Sequence, residues 1–119
     1  MLLLFALCKV SSFCQNDELM QKADSLRDAG LLEEAIAMYT QILGSDSEHE
    51  MAWRGRGYTY LMLSDFSNCG EDYKHALEIN PQCANCYVNL ALSIASAGQV
   101  DSAVVLAGKG VELEPDNDY

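Results

Sequence analysis

The chain has 119 residues, 18 of them acidic and 7 basic, for a formal charge of −11. Half of the residues are hydrophobic and only two are Pro, so there are apolar side chains enough for one domain with a core, and the chain is not disordered. The acid excess excludes a nucleic-acid binder, which needs Lys and Arg to displace phosphate counterions, and excludes adhesion to an anionic membrane.

Residues 1–14 read MLLLFALCKVSSFC. A short apolar run, Leu2 to Leu7, is followed by Lys9 and by Ser11-Ser12. Ser12 and Cys14 are small residues, three and one before a cut ahead of Gln15. This leader resembles a secretory signal peptide, which implies export to the periplasm or cell envelope of a bacterium. It departs from the usual leader in two ways: no Lys or Arg precedes the apolar run, and Lys9 interrupts it early. Two alternatives stand beside it. One is a lipid anchor on Cys14, which the bulky Phe13 fits poorly; the other is a cytoplasmic chain with an N-terminal helix. From residue 15 onward no apolar run approaches the roughly 20 residues of a membrane span.

Beyond the leader, residues 15–119 form one domain with a period. Pro81 and Pro115 are 34 residues apart and close similar phrases, ALEINP and GVELEP. Windows at 16–49, 50–83 and 84–117 then align. Position 4 of each holds Leu19, Trp53 and Tyr87; position 8 holds Ala23, Gly57 and Ala91; position 11 holds Leu26, Tyr60 and Ile94. Position 20 holds Ala35, Cys69 and Ala103; position 24 holds Tyr39, Tyr73 and Ala107; position 27 holds Ile42, Ala76 and Gly110. Apolar residues three and four apart make each window two amphipathic helices. They fall at 16–29, 32–44, 50–63, 66–79, 84–97 and 100–113. Gly30 and Gly98 sit at position 15, where a helix should stop in a left-handed residue; Ser64-Asp65 fills the same turn in the second window, and Asp65 can cap the next helix. Pro81 and Pro115 follow the second helices, where Pro ends a helix.

In these residues the chain resembles the tetratricopeptide repeat family, whose pattern is Trp, Leu-Gly, Tyr, Ala, Phe, Ala and Pro at fixed offsets. The second window matches best, with Trp53, Gly57, Tyr60, Tyr73, Ala76 and Pro81 in register. It departs where Arg56 replaces Leu and Cys69 replaces Ala. The resemblance covers residues 16–117 and implies an all-α fold: a right-handed α-solenoid of three helix-turn-helix repeats. It also implies a non-catalytic scaffold that holds a peptide or partner helix in a concave groove lined by the first helix of each repeat. By register the groove residues are Met20, Asp24, Arg27, Arg54, Tyr58, Leu61, Met62, Asn85, Asn89 and Leu92. Family members that hold acidic chaperone tails place Lys, Asn and Arg at positions that here carry Met20, Asp24, Gly55, Asn85 and Asn89. The basic groups are missing, so that carboxylate clamp is rejected and a neutral or basic protein partner is expected. Leu61 and Met62 equally suit packing between repeats.

Cys83-Ala84-Asn85-Cys86 is a C-x-x-C at a helix entrance, where a lowered thiol pKa suits redox chemistry. A C-x-x-C enzyme normally sits on strands and a crossover helix, and none are predicted; Tyr87 in place of His excludes haem attachment. Zinc needs a fourth ligand beyond Cys69, Cys83 and Cys86, and His49 and His75 form no second pair. The simpler expectation is a local disulfide between Cys83 and Cys86, with Cys69 a small buried hydrophobe and no metal or cofactor. A thiol-redox or metal-binding protein is the competing reading.

Other catalytic patterns are lacking. The two His are isolated, and Gly55 and Gly57 fall inside a helix rather than in a phosphate loop. Glu33-Glu34 and the pair Asp116 and Asp118 read as surface or terminal charge. No small-molecule substrate is implied. The last helix carries Gly108 and Gly110 and no polar capping helix follows it, so its outer face is expected to meet further repeats or a second copy.

Overall fold

The computed structural model describes the backbone of residues 2–113 and the side chains of residues 14–113. Pro115, Asp116 and Asp118 lie outside the described residues. Six α-helices and no strand occur among the described ones: α1 Leu2–Asp28, α2 Leu32–Ser45, α3 Glu50–Met62, α4 Phe66–Ile79, α5 Ala84–Ser96 and α6 Val100–Leu113. Five of the six match the periodic windows to within a residue. The exception is α1, which was expected to begin at residue 16 and runs without a break from Leu2. No Gly or Pro stands between Leu2 and Asp28 to stop it. Among the described side chains, burial starts where the first repeat starts. Cys14 and Gln15 are exposed, and Asn16 is the first buried side chain described, accepting a hydrogen bond from Ser45 Oγ at the end of α2.

The three turns inside the repeats are built alike. Each puts a left-handed residue at the same position: Gly30 at φ +83°, Ser64 at +59° and Gly98 at +91°. In each, the N–H of that residue and of the next fold back onto the helix. Gly30 N donates to Arg27 O and Leu31 N to Leu26 O; Ser64 N to Leu61 O and Asp65 N to Tyr60 O; Gly98 N to Ala95 O and Gln99 N to Ile94 O. This Schellman arrangement satisfies carbonyls that a helix end leaves unpaired. Helix starts are capped by side chains of three kinds. Asp65 accepts from Asn68 N, as its position predicted; His49 Nδ1 accepts from Ala52 N, and Cys83 Sγ from Cys86 N.

Packing runs in sequence order. Each helix packs on the next, and beyond that only α1 on α3 and α3 on α5 meet among the described residues. The first helices of the pairs therefore form one layer and the second helices another, with no shared centre. The result is elongated, 54 × 29 × 23 Å. Glycines at position 8 of the second repeat and position 27 of the third allow the close approach. A Cβ on Gly57 would lie 3.0 Å from the Tyr73 ring, and one on Gly110 would lie 2.9 Å from the Ala84 carbonyl oxygen. Two apolar clusters fill the stack. One joins Ala23, Ala35, Tyr39, Ile42, Leu43 and Ala52; the other joins Cys69, Tyr73, Ala76, Cys83, Cys86 and Leu90. Trp53 packs against both.

Candidate functional site

The layer of α1, α3 and α5 carries an open cleft of about 490 Å³. Seven of the residues expected by register line it: Met20, Asp24 and Arg27 from α1, Arg54 and Tyr58 from α3, and Asn85 and Asn89 from α5. Three do not. Leu61 packs against the second core cluster, while Met62 and Leu92 are exposed outside the cleft. Four lining residues escaped the register argument: Met51, Gly55, Tyr73 and Val88. Three of them had a signal. Met51, Val88 and Gly55 occupy repeat positions 2, 5 and 6, the same positions as Asn85, Arg54 and Asn89. Tyr73 arrives from α4 and is 2% exposed, so it reaches the cleft only as floor.

The polar groups of the cleft divide into tied and free. At the α1 end Tyr39 Oη donates to Asp24 Oδ1, Arg27 Nη1 donates to Tyr39 Oη at 3.1 Å, and Arg27 stands over the Tyr58 ring at 5.5 Å. Burial, then the hydrogen bond to Asp24, hold the Tyr39 phenol above its ordinary range, so it stays a donor. Asn89 Nδ2 donates to Tyr73 Oη at 3.0 Å, and burial likewise raises the Tyr73 phenol. Arg54 is less committed. Its Nη1 lies 3.5 Å from Glu50 Oε1 and 3.6 Å from Met51 Sδ. The Asn85 side chain has no hydrogen bond among the described residues. Met20, Met51 and Val88 supply adaptable apolar contacts around these groups. A surface of this kind can hold backbone and apolar side chains.

Across the stack from the cleft floor, Arg56 makes two 2.8 Å bonds to Asp72, through Nε to Oδ2 and Nη2 to Oδ1. Arg56 also donates to Thr40 Oγ1 and stands 5.1 Å from the Trp53 ring. Thus the departure from Leu at this position has a buried partner, Asp72, which the sequence pattern did not single out. Burial raises the Asp72 carboxyl above the usual carboxylate value while Arg56 pulls it back; the hydrogen bonds that Arg56 donates to Asp72 raise Arg56. Both groups stay charged at neutral pH in this bidentate geometry.

Cys83 and Cys86 form a disulfide at the entrance to α5, with Cα atoms 5.3 Å apart. Cys69 is a free, fully buried thiol, pushed up to about 11 by burial and then by Asp72 and Asp65, so it is a packing residue at neutral pH. His49 caps α3 and His75 stacks on Trp53 at 4.3 Å, so neither joins these sulfurs in a metal cluster. The residue that does is Glu50. Its carboxylate oxygen and the two sulfurs lie within 4.8 Å of one another.

The family profile described as Tetratricopeptide repeat matches residues 52–83, the second helix pair and its linker. The chain belongs to the tetratricopeptide repeat family. Sperm-associated antigen 1 of Mus musculus is 30% identical over 110 residues, covering 92% of this chain and 12% of that protein. Small glutamine-rich tetratricopeptide repeat-containing protein 2 of Mycosarcoma maydis is 27% identical over 97 residues, covering 82% of this chain and 27% of that one. The chain thus spans about a quarter or less of the curated relatives it matches. Among solved structures, the Arabidopsis OM64 tetratricopeptide domain superposes with a TM-score of 0.85 at 16% identity, covering 90% of this chain and 88% of that one. The second such domain of human RPAP3, solved with the HSP70 peptide SGPTIEEVD, gives 0.84 at 18% identity, covering 90% and 89%. At these identities the likeness is one of fold.

Proposed function

We propose that this repeat stack is a non-catalytic scaffold whose cleft along α1, α3 and α5 holds an extended peptide or a partner helix. The observation that carries the reading is the cleft itself, where apolar Met20, Met51 and Val88 surround the uncommitted amide of Asn85 and the guanidinium of Arg54. Free amides suit a peptide backbone, and methionines suit varied side chains. The RPAP3 domain with its acidic HSP70 peptide supports peptide binding as a use of this fold. The occupant here differs in charge. Asp24 stands where an acidic tail would need a cation, and the whole chain is strongly acidic. The body steers away acidic partners, while Asp24 offsets one of the two Arg inside the cleft, so a neutral or basic peptide with apolar side chains fits best.

Two further readings accompany this one. The first 14 residues act as an export leader, and a cut before Gln15 would leave Asn16, the first buried side chain described, in place. The outer face of α6 is covered by another repeat or a second copy. Val100, Val104 and Val111 fall on one narrow stripe of that helix and are each more than half exposed.

The test is a displayed random-peptide library selected on the purified chain, followed by fluorescence anisotropy with the enriched peptide, with the HSP70 peptide SGPTIEEVD and with the variant Arg54→Glu/Tyr58→Ala. Selected peptides should be neutral or basic, should lose at least about tenfold in affinity to the variant, and SGPTIEEVD should not bind. Equal affinity for the variant, or selection of acidic tails, contradicts the proposal.

A further inference from the structure

The cluster that the cleft does not use lies where α3 and α5 begin. Glu50 is the first residue of α3, Cys83 caps α5 and Cys86 stands in its first turn. Both cysteines are buried, at 6% and 0% exposure. Glu50 Oε1 is out of solvent and has no hydrogen-bond donor; it forms a long ion pair with Arg54 at 3.5 Å. A buried carboxylate oxygen without a hydrogen-bond donor is costly, and one long ion pair leaves it open to a closer cation. Two sulfurs and that oxygen already converge within 4.8 Å.

We propose that the dithiol form of this chain binds a divalent borderline metal ion of the zinc type through Cys83 Sγ, Cys86 Sγ and a Glu50 carboxylate oxygen. Two thiolates select zinc over calcium or magnesium, which take oxygen ligands. Zinc bonds of about 2.3 Å to sulfur and about 2.0–2.2 Å to oxygen require ligand atoms a little closer than the present cluster for the carboxylate. They also require the sulfurs to part, by side-chain rotation, once the S–S bond is broken. Three protein ligands leave a fourth position for water or a partner's donor. The local field agrees in sign. Thiolates and a carboxylate at two helix N-termini meet the positive ends of α3 and α5, and the Cys86 N–H already points at Cys83 Sγ, 3.2 Å away.

The site is switched by redox state. A phosphine or dithiol reductant delivers two electrons to the disulfide. The S–S bond breaks, and two protons from solvent complete the thiols; a phosphine leaves as its oxide with oxygen from water. The ion then displaces both thiol protons to solvent as the two metal–sulfur bonds form. Because the ligands join α3 to the α4–α5 linker, the loaded site would clamp the second repeat to the third. The inference does not rest on the peptide reading, and its readout does not involve the cleft.

The experiment uses the full chain with Cys8→Ser, Cys14→Ser and Cys69→Ala, so that two cysteines remain. After phosphine reduction without oxygen it is titrated with cobalt(II), read by thiolate-to-cobalt and tetrahedral d–d absorption, and with zinc(II) against a chromogenic chelator. One equivalent should bind the reduced chain and none the oxidised chain. Cys83→Ser/Cys86→Ser should bind none. Glu50→Gln should bind at least about tenfold more weakly, since even an outer partner of a metal ligand costs roughly 10–100-fold. Circular dichroism checks that each variant keeps its helices, and Glu50→Gln alone carries the test if the double variant does not. No uptake by the reduced chain, unchanged affinity in Glu50→Gln, or full uptake by the cysteine-free variant overturns the proposal.

Discussion

At the scale of single residues, the most informative one is the departure from the family pattern. Arg56 stands where the family has Leu, and its charge is tolerated because Asp72, 3% exposed, faces it at 2.8 Å. The two are not legible as a pair in the sequence, since they lie 16 positions apart on successive helices and periodicity reports only apolar faces. Breaking a buried ion pair strands a charge, at about 3–5 kcal/mol, whereas replacing both members is often neutral. Arg56 keeps some solvent and other partners, so Asp72 is the member more harmed by isolation. Arg56→Leu should therefore cost about 3 kcal/mol in urea unfolding, and Arg56→Leu/Asp72→Ala should recover most of it. Additive losses in that cycle would contradict the account. A second residue-scale effect is alkaline. Cys69 titrates near 9 when unfolded and near 11 when folded, and Tyr39 and Tyr73 are shifted the same way. A raised folded pKa means that the stabilisation is complete below pH 9 and is lost as pH rises toward 11. Stability measured across that interval should fall, and Cys69→Ala should reduce the slope. A slope identical in wild type and variant would exclude Cys69 as a contributor.

Elements are where the sequence speaks most plainly. The turn position shared by Gly30, Ser64 and Gly98 was visible because it repeats, and all three adopt positive φ and the same pair of backbone bonds. Ser64 alone carries a Cβ there. A non-glycine residue in that region costs about 1–2 kcal/mol, offset in part by the extra freedom glycine has when unfolded. Ser64→Gly should stabilise the chain by about 0.5–1 kcal/mol, read as a raised thermal midpoint; a lowered midpoint would contradict the shared turn design. Helix limits and small positions were legible for the same reason, repetition. What was not legible depended on depth rather than on period. Leu61 carries the same spacing as Arg27 yet faces the core, because one face of a first helix serves both cleft and packing. Glu50 carried no signal in the sequence, because only packing of α5 against α3 encloses its oxygen beside two sulfurs. The start of α1 was missed because nothing in its sequence stops a helix before residue 16.

For the whole molecule the decisive feature is contact in chain order. Helices farther apart than second neighbours do not meet among the described residues, so stability is a sum of local interfaces and the long cleft is a by-product of stacking. The two apolar clusters joined by Trp53 fit that description, as does the 54 Å length. The same geometry puts every candidate binding group on one layer and leaves the valine stripe of α6 at an end. The central claim is that the first-helix layer is the binding face. It is tested most directly by amide chemical-shift mapping of the labelled chain during titration with the library-selected peptide. The account predicts that the largest shifts cluster at Met20, Arg54, Tyr58, Asn85 and Asn89 on α1, α3 and α5. Shifts concentrated on α2, α4 and α6 would contradict it.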